Sequence, residues 1–155
     1  MTENELKQHE MEQYYSDLLS VILADGKNGL VPTLAPKFIN CNYEEKSLTI
    51  EFKVNEWELN PEGILFGGLT VSMLDNAYGF LCHYFAGDRF ISTISENTTF
   101  LKPGRLNDII QVKVKAASNG KAIVNMSGEV FNLTNNVLMA TSQSSFMMLN
   151  KKVNL

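Results

Sequence analysis

Residues 64–81, Ile64-Leu65-Phe66-Gly67-Gly68-Leu69-Thr70-Val71-Ser72-Met73-Leu74-Asp75-Asn76-Ala77-Tyr78-Gly79-Phe80-Leu81, are the most apolar stretch of the chain and restrict its fold more than any other feature. Extended to Ala86, the stretch approaches the length of a membrane span. It carries Asp75, Asn76 and His83, however, and no cluster of basic residues flanks it. A central Asp alone costs ~2.5–3.5 kcal/mol on insertion scales. The stretch therefore reads as a buried helix from about Gly68 to Ala86, ended by Gly87-Asp88-Arg89. A helix apolar nearly all round must be enclosed, so the rest of the chain has to supply a sheet that curls around it.

The remaining periodicity provides that sheet. Leu48, Ile50, Phe52 and Val54 alternate with polar residues, so Lys37–Tyr43 and Ser47–Val54 read as a hairpin turning at Glu44-Glu45-Lys46. After the helix the period is again two. Ile91–Lys102, Asp108–Ser118, Lys121–Asn132 and Val137–Leu149 all read as strands. Asn119-Gly120 carries the signal of a type I′ turn, and Leu133-Thr134-Asn135-Asn136 marks a second turn. Meander connections between these four strands imply an antiparallel sheet, and the fold class is α+β. Glu56–Phe66 reads as a loop. Upstream, Thr2-Glu3-Asn4-Glu5 has capping-box spacing, and Leu6, Met11, Tyr15, Leu18, Leu19 and Ile22 follow at helical intervals. Residues 3–24 are thus an added amphipathic helix, ended by the 25–29 segment, with an irregular connection around Pro32 and Pro36.

At 155 residues the chain is read as one domain with a substantial core. A net charge of −4, with no run of Lys or Arg, argues against a nucleic-acid surface. The polar, acidic start is unlike a signal or transit sequence, and Cys41 and Cys82 have no metal-ligand spacing. The expectation is a cytoplasmic protein with two free thiols, no metal and no membrane contact.

At about 100° per residue, Val71, Met73, Leu74, Ala77, Tyr78 and Leu81 share one broad face of the central helix. Gly68, Ser72, Asp75, Asn76, Gly79 and His83 fall within ~120° of arc on the other. This second stripe is small and polar, which suits close approach of a ligand or of another backbone. A carboxylate on a largely buried helix is expensive, so Asp75 is expected to be desolvated and its pKa raised. Gly67-Gly68 opens the same helix, where backbone N–H groups lack intrahelical acceptors. An acid and an electrophilic backbone corner on one element are the strongest functional signal in the chain.

The segment Asn60-Pro61-Glu62-Gly63-Ile64-Leu65-Phe66-Gly67-Gly68-Leu69-Thr70 followed by Asp75-Asn76, with Thr99-Phe100-Leu101-Lys102-Pro103 beyond it, resembles the hotdog-fold acyl-CoA thioesterases of the PaaI and 4-hydroxybenzoyl-CoA group. The resemblance covers about residues 45–149 and leaves residues 1–30 outside. It implies a five- or six-stranded antiparallel sheet around one long helix. It also implies a homodimer with a continuous sheet, an association of two such dimers, and active sites at the subunit interface. The implied substrate is an acyl-CoA, with no cofactor beyond the CoA it carries.

By matching position, the resemblance makes Asp75 the carboxylate that activates water or attacks the thioester. It makes Gly67 the donor to the thioester carbonyl, Asn60 a holder of carbonyl or water, and Thr93 the hydroxyl beside the acid. Asp75 and the Gly67 corner of one site then come from different subunits. Phe66, Gly68 and Asn76 would line the substrate site, and Lys102 and Arg105 are candidates for the nucleotide end of CoA. One position departs from the family pattern: Phe66 stands where the family has His, which removes a polar ring and leaves acid and donor in place. That departure motivates a second reading, a non-catalytic acyl-CoA or lipid-binding hotdog module.

Overall fold

The computed structural model describes residues 1–25 and 28–152. It opens with helix α1 (Glu3–Ala24), set by a capping box in which Thr2 Oγ1 accepts from the Glu5 N–H and Glu5 Oε2 accepts from the Thr2 N–H. Met11, Tyr15 and Leu19 of α1 are buried, as their spacing requires, whereas Leu6 is exposed. Of the segment expected to end α1, residues 26 and 27 lie outside the described residues. The connection around Pro32 is not irregular throughout. Residues Leu30–Leu34 form a short helix α2, with Pro32 in its first turn, where no intrahelical N–H is needed. Ala35, at φ 50°, ends it.

Six strands follow: β1 (Lys37–Asn42), β2 (Ser47–Lys53), β3 (Arg89–Phe100), β4 (Ile109–Asn119), β5 (Ile123–Asn132) and β6 (Val137–Lys152). Between β2 and β3 the chain makes a 3₁₀ turn (Glu56–Glu58) and the long helix α3 (Gly67–Ala86). The sheet is antiparallel throughout, in the order β1-β2-β4-β5-β6-β3. This corrects the expectation of a four-strand meander. Strands β4 to β6 do run as a meander, but α3 crosses the sheet and delivers β3 to the far edge, beside β6. The next strand, β4, returns to pair with β2.

The β4–β5 turn also differs from expectation. The Gly120 N–H donates to the Ile123 carbonyl at 3.2 Å, so residues 121 and 122 are the turn pair. Gly120 does not adopt the left-handed conformation that a type I′ turn would require of it.

The sheet wraps α3 as the apolar stretch demanded. Met73, Leu74, Ala77, Tyr78, Leu81 and Cys82 pack against Leu48, Ile50, Phe52, Val112, Val114 and Val130 of the sheet, all almost fully buried. Val71 is the exception to the predicted face: it is half-buried and turns toward the polar stripe. Cys41 and Cys82 are both buried and free. At one edge α1 packs on β1. At the other, β3 is uncovered and exposes Phe90, Ile94 and Phe100. No helix among the described residues is long and apolar enough to cross a membrane.

Candidate active site

The site begins with an irregularity in β3. Thr93 pairs with Phe146 and Ser95 with Ser145, so Ile94 is an extra residue without a partner on β6. A β-bulge of this kind reverses which residues of a strand face inward. On β6 the inward row is Ala140, Ser142, Ser144, Phe146 and Met148, all buried. Their partners on β3 are Phe100, Thr98, Glu96, Thr93 and Ile91. Strict alternation would place Thr93 and Glu96 on opposite faces. The bulge at Ile94 puts both on the side of α3.

Above this row lies the polar stripe of α3. The Thr93 hydroxyl donates to Asp75 Oδ1 at 2.8 Å, tying the edge strand to the middle of the helix. Asp75, Thr93 and Glu96 line a cavity of about 650 Å³ together with Ser72, Asn76 and His83. Its apolar wall comes from Val71, Phe80 and Ile91, and from Leu18, Leu30 and Val31 of the N-terminal segment. Asn76 Nδ2 donates back to the Ser72 carbonyl at 3.0 Å. His83 Nδ1 lies 3.3 Å from the Tyr14 hydroxyl, which joins the far end of the stripe to α1.

The expected burial of Asp75 needs correction. Asp75 is exposed in the single chain, because the stripe it occupies faces the open cavity and not the sheet. In the same cavity the Glu96 carboxyl is pushed up to about 7 by burial first and by the neighbouring Asp75 second, against a lowering contact from Thr98. Sequence reasoning missed Glu96 because period-two counting from Thr93 turns it outward. It also missed the wall supplied by α1 and α2. The available signals were the departure from alternation in Ser95-Glu96-Asn97 and the unexplained apolar pair Leu30-Val31.

The glycine corner is built by a separate loop. Asn60 Oδ1 accepts from the N–H groups of Glu62 and Ile64, at 3.0 and 3.2 Å, and so folds the 60–64 segment. Its amide NH₂ is the part of that side chain left to donate. Phe66 is the N-cap of α3, and its own N–H is held by the Glu58 carbonyl at 2.9 Å. Among the described residues the Gly67 N–H donates to no protein group, as expected at the first helical position. The exposed Phe66 ring lies over Gly68, where an added Cβ would come within 2.6 Å of Phe66 Cε1. Lys102 and Arg105 are exposed on the β3–β4 connection. That connection abuts the corner, since the Leu65 N–H donates to the Gly104 carbonyl at 2.8 Å and Ile64 bridges Arg105.

Gly67 and Asp75 stand eight residues apart on one helix, about 12 Å along its axis. In a single chain they cannot act on the same carbonyl. The described residues contain no group of three or more His, Cys, Asp or Glu able to hold a metal.

Residues 62–139, half of the chain, match the family model of the thioesterase superfamily. No curated protein sequence matches the chain. Among solved structures it is similar to the Escherichia coli PaaI protein from the phenylacetic acid degradation operon, with 16% identity and a TM-score of 0.78, over 95% of this chain and 99% of that one. Such coverage includes most of α1, so the structural likeness extends into the segment that the sequence motifs left out. A phenylacetic acid degradation-related protein of Ralstonia eutropha is 25% identical with a TM-score of 0.71, over 83% of this chain and 98% of that one. A hypothetical thioesterase protein of Streptococcus pneumoniae solved with coenzyme A is 16% identical with a TM-score of 0.66, over 76% of this chain and 88% of that one. The sheet wrapped on α3 is the hotdog fold, and the chain belongs to the thioesterase superfamily as a thioester hydrolase.

Proposed function

We propose that the protein hydrolyses acyl-CoA thioesters at composite sites formed by two copies of the chain. The observation that carries this reading is the separation of its two chemical groups. Asp75, oriented by the Thr93 hydroxyl, lies in the cavity, whereas the open Gly67 N–H lies about 12 Å away on the same helix. A second copy, related by a two-fold axis, supplies each Asp75 with a partner glycine corner. The uncovered β3 edge, with Phe90, Ile94 and Phe100 exposed beside Phe66 and Leu101, is the surface suited to that pairing. The coenzyme A in the related Streptococcus structure supports CoA as the carrier.

In the proposed reaction Asp75 takes a proton from water as the oxygen adds to the thioester carbonyl carbon. The carbonyl oxygen becomes an oxyanion held by the Gly67 N–H, with the helix dipole in its favour, and the Asn60 amide lies on the same loop. Collapse breaks the C–S bond, and the proton on Asp75 passes to the departing CoA thiolate. The apolar cavity wall, with Asn76 beside it, takes the acyl group, while Phe66 and Gly68 of the glycine corner contact the thioester end. The exposed Lys102 and Arg105, on the connection beside the corner, are the residues we assign to the CoA phosphates. CoA arrives with the substrate, and the scheme uses no separate cofactor.

The test is a panel of acyl-CoAs of varied chain length and aromatic character, with a thiol reagent to detect free CoA. Turnover that vanishes in Asp75→Asn is the expected result. Tight acyl-CoA binding without hydrolysis on any member would overturn it in favour of a binding module.

A further inference from the structure

The 650 Å³ cavity holds two carboxyls, and the proposed reaction uses only one of them. Glu96 is not an incidental surface acid. It faces inward only because Ile94 is inserted into β3, and its pairing partner is the buried Ser144. Its Oε1 accepts from the Thr98 hydroxyl at 3.4 Å, and Thr98 lies 3.3 Å from the buried Ser142 hydroxyl, so the carboxyl is anchored from below. It therefore meets the cavity half-buried, on the same strand face as the threonine that orients Asp75.

We propose that Glu96 is a positioning residue of the active site that acts through Asp75, strengthening it as a base once Glu96 itself has ionised. The inference rests on the assignment of Asp75 as the water-activating group. An aspartate has an unperturbed pKa near ~3.9, far below the range in which a general base is most effective at neutral pH. A second negative charge in the same cavity raises the proton affinity of a neighbouring carboxylate. The charge on Asp75 in turn helps keep the Glu96 carboxyl protonated. Its raised pKa, about 7, places that loss close to neutrality.

The other groups facing Glu96 leave this coupling intact. Among the described residues, helix α3 presents Asp75 and His83 to the cavity and the buried Tyr78 hydroxyl near Glu96, and β6 presents the hydroxyls of Ser142 and Ser144. Among the described residues the N-terminal segment contributes the apolar Leu18, Leu30 and Val31 to the cavity.

The experiment has a kinetic and a spectroscopic arm, both on the full chain. In the first, kcat/KM for acyl-CoA hydrolysis is followed from pH 5.5 to 9. The wild type is expected to rise ~3- to 10-fold through a midpoint near neutrality. Glu96→Gln should lose that rise and stay at the low-pH level, and Glu96→Asp should restore part of it. An unchanged rise in Glu96→Gln overturns the proposal. In the second arm, carbon-13 NMR of the Glu96 carboxyl is followed in the wild type and in Asp75→Asn. The Glu96 midpoint should fall when the Asp75 charge is removed, and an unmoved midpoint overturns the proposal whatever the kinetics. If the wild type hydrolyses no acyl-CoA, the thioesterase reading fails, and the titration arm alone decides whether the two carboxyls act as a pair.

Discussion

Thr93 Oγ1 donates to Asp75 Oδ1 across 2.8 Å, joining an edge strand to a helix that otherwise meets the sheet through apolar side chains. Both partners are exposed in the single chain. The bond therefore contributes little to folding and serves to orient one carboxylate oxygen. Removing the acid should abolish function at almost no cost in stability. Asp75→Asn is expected to lower acyl-CoA turnover by ~10²- to 10⁴-fold and to leave unfolding free energy within about ±0.5 kcal/mol. Thr93→Ser should remain close to wild type and Thr93→Val should fall about tenfold. Steady-state kinetics and thermal melts on the same preparations check all three.

The donor at Gly67 can be deleted without removing a side chain. Proline is tolerated at the first helical position and lacks the N–H. Phe66, at φ −59° and ψ 126°, is already in the extended region that a following proline requires. Gly67→Pro should melt near the wild type and lose ~10²- to 10³-fold in kcat. Gly67→Ala keeps the N–H, and its Cβ would meet Phe100 at an ordinary 3.5 Å, so it should retain activity. If sites are shared between subunits, refolding Gly67→Pro with Asp75→Asn restores one intact site in each mixed dimer. About a quarter of wild-type activity should return. No recovery in the mixture would place both groups in one chain or rule out exchange, and light scattering on a tagged mixture separates those two outcomes.

Gly128 is required by the helix above it. An added Cβ would lie 2.5 Å from Tyr78 Oη and 3.0 Å from Leu74 Cδ2, both on the buried face of α3. Gly128→Ala should cost ~1–3 kcal/mol by overpacking. The Tyr78 hydroxyl is buried without a hydrogen-bond partner among the described residues, although Ser142 lies close by. Tyr78→Phe should therefore be nearly neutral alone and should recover much of the loss in Gly128→Ala. A double-mutant cycle by urea denaturation measures that coupling.

Glu58 is a buried acid in the loop that leads to the glycine corner. Its Oε2 accepts from the Asn55 N–H, while Oε1 is buried without a partner among the described residues. Burial raises its pKa, outweighing the lowering contacts from Asn55. The folded state thus keeps this proton to higher pH than the unfolded chain. The stability associated with that proton is complete below the unfolded pKa and is lost as pH rises through the folded one. Glu58→Gln, which resembles the protonated form, should have the higher Tm at pH 7. The difference should close toward pH 4, and an equal gap at both pH values would contradict this account.

The enclosing sheet was legible because an apolar helix of that length leaves few alternatives, and because Leu48, Ile50, Phe52 and Val54 alternate so strictly. The Asp75 stripe followed from helix geometry alone, which depends only on local spacing. What stayed hidden was long-range. Nothing near Ile91 indicates that β3 pairs with β6 and not with β4, since that choice is made by the path of α3. Glu96 was lost to a one-residue irregularity that period-two counting cannot register. Leu18 and Val31 form a cavity wall only once α1 has docked on β1, a contact with no signature in either segment.

The insertion at Ile94 also bears on how this site could change in descent. A substitution at Glu96 alters one side chain, whereas loss of the Ile94 codon would reset the facing of every residue on one side of it. Glu96 and Thr98 would turn to solvent together, or Thr93 and Ile91 would, depending on which half of the strand held its register. A single in-frame deletion would thus convert a two-carboxyl cavity into one lacking either its second acid or the hydroxyl beside the first. Insertions and deletions at this strand position, more than point changes, are where relatives of this chain should divide in chemistry.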